Sequence, residues 1–403
     1  MACLYVNHAG EERNRHSYSA GLEFEHSPYR YWLHRVMGWR ERDTNASLLF
    51  GRALEDAIQF YHETKGKSGE DEFIRLWAQS KDKPVIYRKK EVSWEHLLRC
   101  GREMMRLYQI RQPKLPIPMD TAFQRAFSKE VFPDNERYGG IEFYAKMDML
   151  ARAPWNHPML PEVEWKPEYG LFRPVITDIK TSVNNLVDIP GIVGHDMQLR
   201  QYAWIRGKQA YPWIDVAFLW FTKCEHSLKK GVSVTLLVDA GKFKAGDEAV
   251  VASVEEDGSA YLVSSDLDIT IMNEAQGYRE GTKELDTKKE AKARAAAWRE
   301  SNAVKVLGSD ITRQRMQYNA GIVTWDSAED AGRIVASQIV RIVNAWEQNN
   351  WTNTFSIRFP HNDTKDPYFQ AFVLRDNVFR DSMFEQRVEE DLSDYFDEPE
   401  EAE

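Results

Sequence analysis

Pro174-Val-Ile-Thr-Asp-Ile-Lys180 is an apolar run that ends on a carboxylate and an ammonium two residues apart. Side chains alternate along a strand, so Asp178 and Lys180 point to the same side and can address one site. A carboxylate beside an ammonium on a sheet edge suits a divalent cation held together with a phosphate. Upstream, Ile141, Phe143, Ala145 and Met147 alternate with Glu142, Tyr144, Lys146 and Asp148, a half-buried strand with Asp148 on its polar face. Downstream, Gln198-Leu-Arg-Gln-Tyr202 spans one helical turn and stacks Gln198 and Tyr202 on one face.

Around this stretch the elements read as helices first and strands second. Residues 16–39 read as a helix capped by Ser17 or Ser19 and bent or interrupted at Pro28, and residues 50–65 as an amphipathic helix burying Ala53, Leu54, Ala57, Ile58 and Tyr61. Further helices are expected over 71–78, 93–111, 195–206 and 327–348, and strands over 175–181, 216–222 and 232–238. Residues 154–174 form a Pro-rich and aromatic-rich excursion between two neighbouring strands. The expected fold class is α/β or α+β, with a mixed central sheet flanked by helices. The expected division is a core over 1–236, a small β-barrel-like insertion over 237–275 and a basic helical segment over 276–325. A helical return to the core over 326–385 and an acidic disordered tail over 386–403 complete it.

The chain has 403 residues, 42% hydrophobic and 12% aromatic, enough for a sizeable core and for more than one domain. No apolar run reaches the ~18 residues of a membrane span, and residues 1–15 lack the apolar block of a signal peptide, so a cytoplasmic location is expected. Cys3, Cys100 and Cys224 lie far apart, which argues against a disulfide framework or a zinc knuckle. His62, His195 and His226 show no metal spacing. Gly66-Lys-Ser lacks the earlier glycine of a phosphate loop, since Tyr61 stands there, so an ATPase is excluded. The net charge is −10, but residues 389–403 hold nine acids and no base, which leaves −1 for residues 1–388. A local basic groove is therefore compatible with the charge balance. The tail reads first as a solvated end; the sharper reading makes Leu392, Tyr395 and Phe396 a docking peptide for a basic replication or recombination protein.

Gly51-Arg-Ala-Leu-Glu55 on a helix, Asp148, Asp178-Ile-Lys180 and Gln198 to Tyr202 follow one another in the chain, behind a segment at 16–31 that opens His16-Ser-Tyr-Ser and closes Ser27-Pro-Tyr-Arg-Tyr31. This succession resembles the PD-(D/E)XK nuclease superfamily, in particular its RecB-like exonuclease branch. Taken singly, each residue has an ordinary reading as a solvated acid, an exposed ion pair or a polar helix rim, and only the order lends weight. The resemblance implies Glu55, Asp148, Asp178 and the main-chain carbonyl of Ile179 as metal ligands, with Asp148, Asp178, Lys180, Gln198 and Tyr202 as catalytic residues. Three converging carboxylates imply a hard divalent cation, Mg2+ or Mn2+.

The implied activity is metal-dependent cleavage of DNA in replication, recombination or repair, on a cellular or phage genome. Lys288 to Arg315 and exposed aromatics would steer and stack the strand, and no membrane is involved. The alternative is a catalytically inactive DNA-binding or assembly module of the same fold. Many RecB-like nucleases carry four cysteines for an iron–sulfur cluster. Here Ser27 stands at the first position and the segment 359–372 has no cysteine, so no cluster is expected, and Tyr368, Phe369 and Phe372 are expected to staple the chain instead.

Overall fold

The computed structural model describes residues 3–65, 67–83, 85–87, 93–186, 192–208, 211–264, 303–351, 367–368, 371–372, 375 and 377–387. The tail from 389 onward, Phe369, and residues 287–302 of the basic patch lie outside these.

The first helix, α1 (Tyr18–His26), starts where Ser17 Oγ accepts the Ala20 N–H. It does not run to residue 39. Ser27 takes extended backbone and caps a new helical turn, Pro28–Tyr31, whose first position is the proline, and a π-turn over Trp32–Val36 follows. The next three helices, α2 (Ala46–Glu63), α3 (Gly69–Gln79) and α4 (Trp94–Arg111), are capped by Asn45, Ser68 and Ser93. Later come α5 (Met197–Arg206), capped by Asp196, and α6 (Trp325–Glu347), capped by Thr324.

The strands in chain order are β1 (Arg15–His16), β2 (Ile117–Glu130), β3 (Glu142–Pro154), β4 (Phe172–Ser182) and β5 (Trp213–Thr222). They continue as β6 (Ser233–Leu236), β7 (Glu248–Val254), β8 (Ala260–Ser264), β9 (Val304–Val306), β10 (Ile311–Thr312) and β11 (Arg315–Thr324). Among the described residues the central sheet has the order β11-β5-β4-β3-β1, with β2 paired to the other edge of β3. It is mixed, since β4 and β5 run parallel while β3–β4 and β5–β11 are antiparallel. One face packs on α1, α5 and α6 through Phe24, Leu199, Val335, Ile339, Ile176 and Val216. The other packs on α2, α3 and α4 through Phe50, Leu54, Trp77, Met104, Ile179 and Phe221. Burying both faces is what allows the apolar run of β4.

Four strands correct the sequence reading. β2 falls where none was expected, because its residues mix apolar and charged types without clean alternation. The expected basic helical segment over 276–325 is not helical in its described part: Val304–Val306 and Ile311–Thr312 close a second, five-stranded sheet of order β9-β8-β7-β6-β10, and Arg315–Thr324 is the outer strand of the central sheet. This small sheet has its own core of Val234, Leu236, Val251, Leu262 and Ile311. It also starts at Ser233, within the span expected for the core.

The excursion between β3 and β4 is pinned by two indoles, Trp155 and Trp165, which both donate to the Gly170 carbonyl, at 2.8 and 3.0 Å. At the chain's far end, Phe384–Gln386 pairs antiparallel with Trp39–Glu41, and Tyr368, Ala371 and Phe384 pack on Leu33. Among the described residues no helix is long and apolar enough to cross a membrane.

Candidate active site

The site forms where two strands part. The β3–β4 ladder runs from Pro154↔Phe172 to Met149↔Thr177 and stops one residue short of Asp148 and Asp178. In place of the next ladder bond, Asp148 Oδ2 accepts the Ile179 N–H at 2.8 Å. On its other edge β4 stays paired with β5 as far as Ser182↔Thr222, so the strand holds its course while the β3 side opens. A strand residue's N–H and C=O point toward the same neighbour, which turns the Ile179 carbonyl into the same gap. β3 itself slips phase here: Met147 and Leu150 join one apolar cluster although a regular pleat would separate them. The expected alternation therefore holds only up to Met147.

Asp178 is fully buried. Its Oδ1 accepts from Gln198 Nε2 at 3.0 Å, and the same nitrogen donates to Tyr202 Oη at 2.7 Å. Tyr202 Oη donates in turn to the Lys146 carbonyl at 3.3 Å, which ties one turn of α5 to β3. Oδ2 of Asp178 lies 2.7 Å from Lys180 Nζ, so the alternation expected for β4 brings the pair together. Beyond this ion pair, Oδ2 is buried with no further donor. Lys180 keeps 37% of its side chain exposed and so opens the group to solvent.

Glu55 enters from α2. Its Oε2 lies 3.5 Å from Gln124 Nε2, and Gln124 Oε1 accepts from Arg52 Nη1 at 3.2 Å. Arg52 is also paired with Asp56 at 2.9 Å. A Cβ built on Gly51 would sit 3.5 Å from Thr181 Oγ1, so α2 passes close over the end of β4 at this point.

The electrostatics follow from burial and crowding. Burial, then the neighbouring Asp148, drives the Asp178 carboxyl well above the usual carboxylate range. Burial and Glu55 push Asp148 up to about 7, and burial and Asp178 push Glu55 up to about 7. For Lys180, burial alone lowers the pKa, but Asp178, Asp148 and Glu55 together outweigh it and the net shift is upward, so the ammonium stays charged. Three carboxylates and one ammonium leave two negative charges, the complement of one divalent cation. The all-oxygen donor set, with an Asp178 Oδ2 whose partner is the Lys180 ammonium alone, fits a hard ion of that charge.

Glu55, Asp148, Asp178, Ile179, Lys180, Gln198 and Tyr202 are thus brought together. Several others are not. Arg200 spends its guanidinium on the Ser327 carbonyl, at 3.1 and 2.8 Å, and Arg206 lies over the Phe127 ring. His62 bonds Tyr108 Oη at 2.6 Å and stacks on Phe123, with burial lowering its pKa to about 4. His16, from the opening motif, is a buried neutral imidazole bonded to Gln338. Ser27 Oγ accepts the Arg30 N–H.

Sequence reasoning missed Gln124, Lys146 and Tyr18. Gln124 lies between the pairs Phe123↔Met149 and Arg125↔Met147, hence abreast of Asp148, and takes left-handed backbone at φ 49°. Its strand was not recognised, so nothing could have found it. Lys146 was legible, being two residues before Asp148 on the same stretch, and it feels Glu55 and Asp148. Tyr18 feels Asp196, Lys180 and Asp178.

The family comparison agrees with this geometry. The model of the PD-(D/E)XK nuclease superfamily matches residues 15–303, most of the chain and every residue of the cluster. The protein belongs to the PD-(D/E)XK nuclease superfamily. Comparison with curated proteins and with solved structures gives no match.

Proposed function

We propose that this nuclease hydrolyses DNA phosphodiester bonds with Mg2+ or Mn2+, and that it works as an exonuclease. The observation that carries the reading is the buried Asp178 carboxylate, paired with the Lys180 ammonium at 2.7 Å and set beside the half-buried carboxyls of Asp148 and Glu55. Glu55, Asp148, Asp178 and the Ile179 carbonyl would hold the ion. When bound, the ion supplies Lewis-acid polarisation of the phosphate and acidifies water near neutral pH.

The protein's own groups do the rest. Lys180, exposed on one side and anchored by Asp178 on the other, orients the attacking water and balances charge growing on the phosphoryl oxygens. Gln198 fixes the Asp178 carboxylate through Oδ1, which leaves Oδ2 turned to the gap, and Tyr202 fixes Gln198. Asp148 holds the strands apart at Ile179, so the ligand set is preorganised by the sheet itself.

DNA as substrate and exonucleolytic action in replication, recombination or repair rest on the RecB-like order of the motifs. A digestion series on end-labelled single-stranded, linear duplex and circular DNA, with Mg2+, Mn2+ and chelator, tests the reading. Metal-dependent loss of linear DNA with circular DNA spared is expected. Equal cutting of circles would replace exonuclease by endonuclease, and no cutting with either ion would refute the catalytic reading in favour of a binding module.

A further inference from the structure

Away from the acidic cluster, His96, Cys100 and His226 bring one ligand atom each to within 4.8 Å of one another. His96 and Cys100 are one turn apart on α4, and His226 comes from the segment that joins β5 to the small sheet. Cys100 Sγ lies 3.5 Å from His96 Nε2 and 3.7 Å from His226 Nε2. With metal–sulfur and metal–nitrogen bonds of about 2.3 and 2.0 Å, a tetrahedral angle puts S and N about 3.5 Å apart. Both sulfur–nitrogen spacings are those of ligands around one zinc ion. We propose that His96, Cys100 and His226 hold a Zn2+ ion, its fourth position left to water, and so clamp α4 to the junction between the central and small sheets.

Four features argue for a built site rather than a chance meeting. The sulfur has two imidazole nitrogens within 3.7 Å and the Cys224 carbonyl at 3.9 Å, so two nitrogen ligand atoms converge on one thiol. His226 Nδ1 lies 3.1 Å from Glu103 Oε1, the outer carboxylate that fixes the tautomer and turns Nε2 toward a metal. Glu103 is itself held by Thr312 Oγ1 at 2.5 Å. Gln314, fully buried, grips the main chain of Cys224 at both ends, accepting its N–H at 2.8 Å and donating to its C=O at 3.0 Å, and so fixes the loop that carries His226. The charges close as well, since the thiolate and the Glu103 carboxylate together neutralise the ion in a largely buried place.

The test is metal analysis of the full-length protein, with cobalt as a spectroscopic substitute. Wild type is expected to hold about one equivalent of zinc after dialysis, and its Co2+ form to show the near-ultraviolet thiolate-to-cobalt band that an all-oxygen site cannot give. Cys100→Ser and His226→Gln are expected to lose both, Glu103→Gln to weaken zinc roughly 10–100-fold, and Cys224→Ser to leave both unchanged. A wild type without zinc and without the cobalt band would overturn the proposal, and so would zinc retained by both ligand variants. The first result would leave His226 as a histidine held by Glu103 and the His96 carbonyl 3.4 Å away. Should Cys100→Ser fail to fold, the wild-type cobalt spectrum decides alone.

Discussion

Asp148 Oδ2 accepts the main-chain N–H of Ile179 at 2.8 Å, one residue beyond the last pair of the β3–β4 ladder. One carboxylate thus does a structural job with one oxygen while the same group lies against Asp178 in the acid cluster. Asp148→Asn keeps an acceptor, so thermal melts close to wild type are expected together with loss of cleavage. Asp148→Ala leaves the N–H buried and unpaired, which costs about 1–3 kcal/mol. Equal melts for both variants would show that the bond does not hold the strands.

The acid cluster makes stability depend on pH in a direction opposite to most carboxylates. Glu55 and Asp148 sit at about 7 in the metal-free fold, against 4.5 and 3.8 as ordinary groups. Groups raised on folding stabilise fully below their unfolded pKa, and that contribution is lost as pH rises through the folded value. Metal-free protein should therefore lose stability from these groups between about pH 4 and pH 7. Mg2+ should tighten over the same interval as protons leave. Calorimetric melts with and without Mg2+ at pH 5.5 and pH 8 check both; a metal-free protein with higher stability at pH 8 contradicts the assignment.

Gln198 touches Asp178 and Tyr202 but nothing that reacts, so it is a positioning residue. Gln198→Ala is expected to lower kcat about 10–100-fold with a small change in KM, in line with the loss of outer-shell partners elsewhere. Tyr202→Phe should do less, since it removes only the donor to the Lys146 carbonyl and the acceptor for Gln198. A shift in KM alone would place both in substrate binding. Single-turnover kinetics separate the cases.

Ser27 is a helix cap, and the chain around it is stapled by aromatics. Tyr368 Oη donates to the Trp39 carbonyl at 3.0 Å, and the Tyr368 and Phe384 rings meet at 4.7 Å. Ser27→Ala should cost about 1 kcal/mol by loss of the cap. Purified protein should contain no stoichiometric iron and show no cluster absorbance. A stoichiometric cluster would contradict the reading of Ser27.

The parts of the site that lie on periodic elements were legible in the sequence. Asp178 and Lys180 share a side because a strand alternates, and Gln198 and Tyr202 share a face because a helix turns every 3.6 residues. What was not legible depends on departures from period. The phase slip at Asp148, the left-handed Gln124 and the irregular strand β2 have no local signature, yet they open the gap that the acids occupy. The late strand β11 was hidden by basic residues that suggested a helix. His96, Cys100 and His226 are 126 residues apart between cysteine and second histidine, a separation no spacing rule detects.

The most direct measurement compares wild type with Lys180→Ala for cleavage and binding of the same end-labelled DNA in Mg2+. If the three acids and this ammonium gather around a cation to cut a phosphodiester, the variant loses cleavage by about 100-fold or more while its DNA affinity changes little. A variant that cuts as fast as wild type would contradict the account.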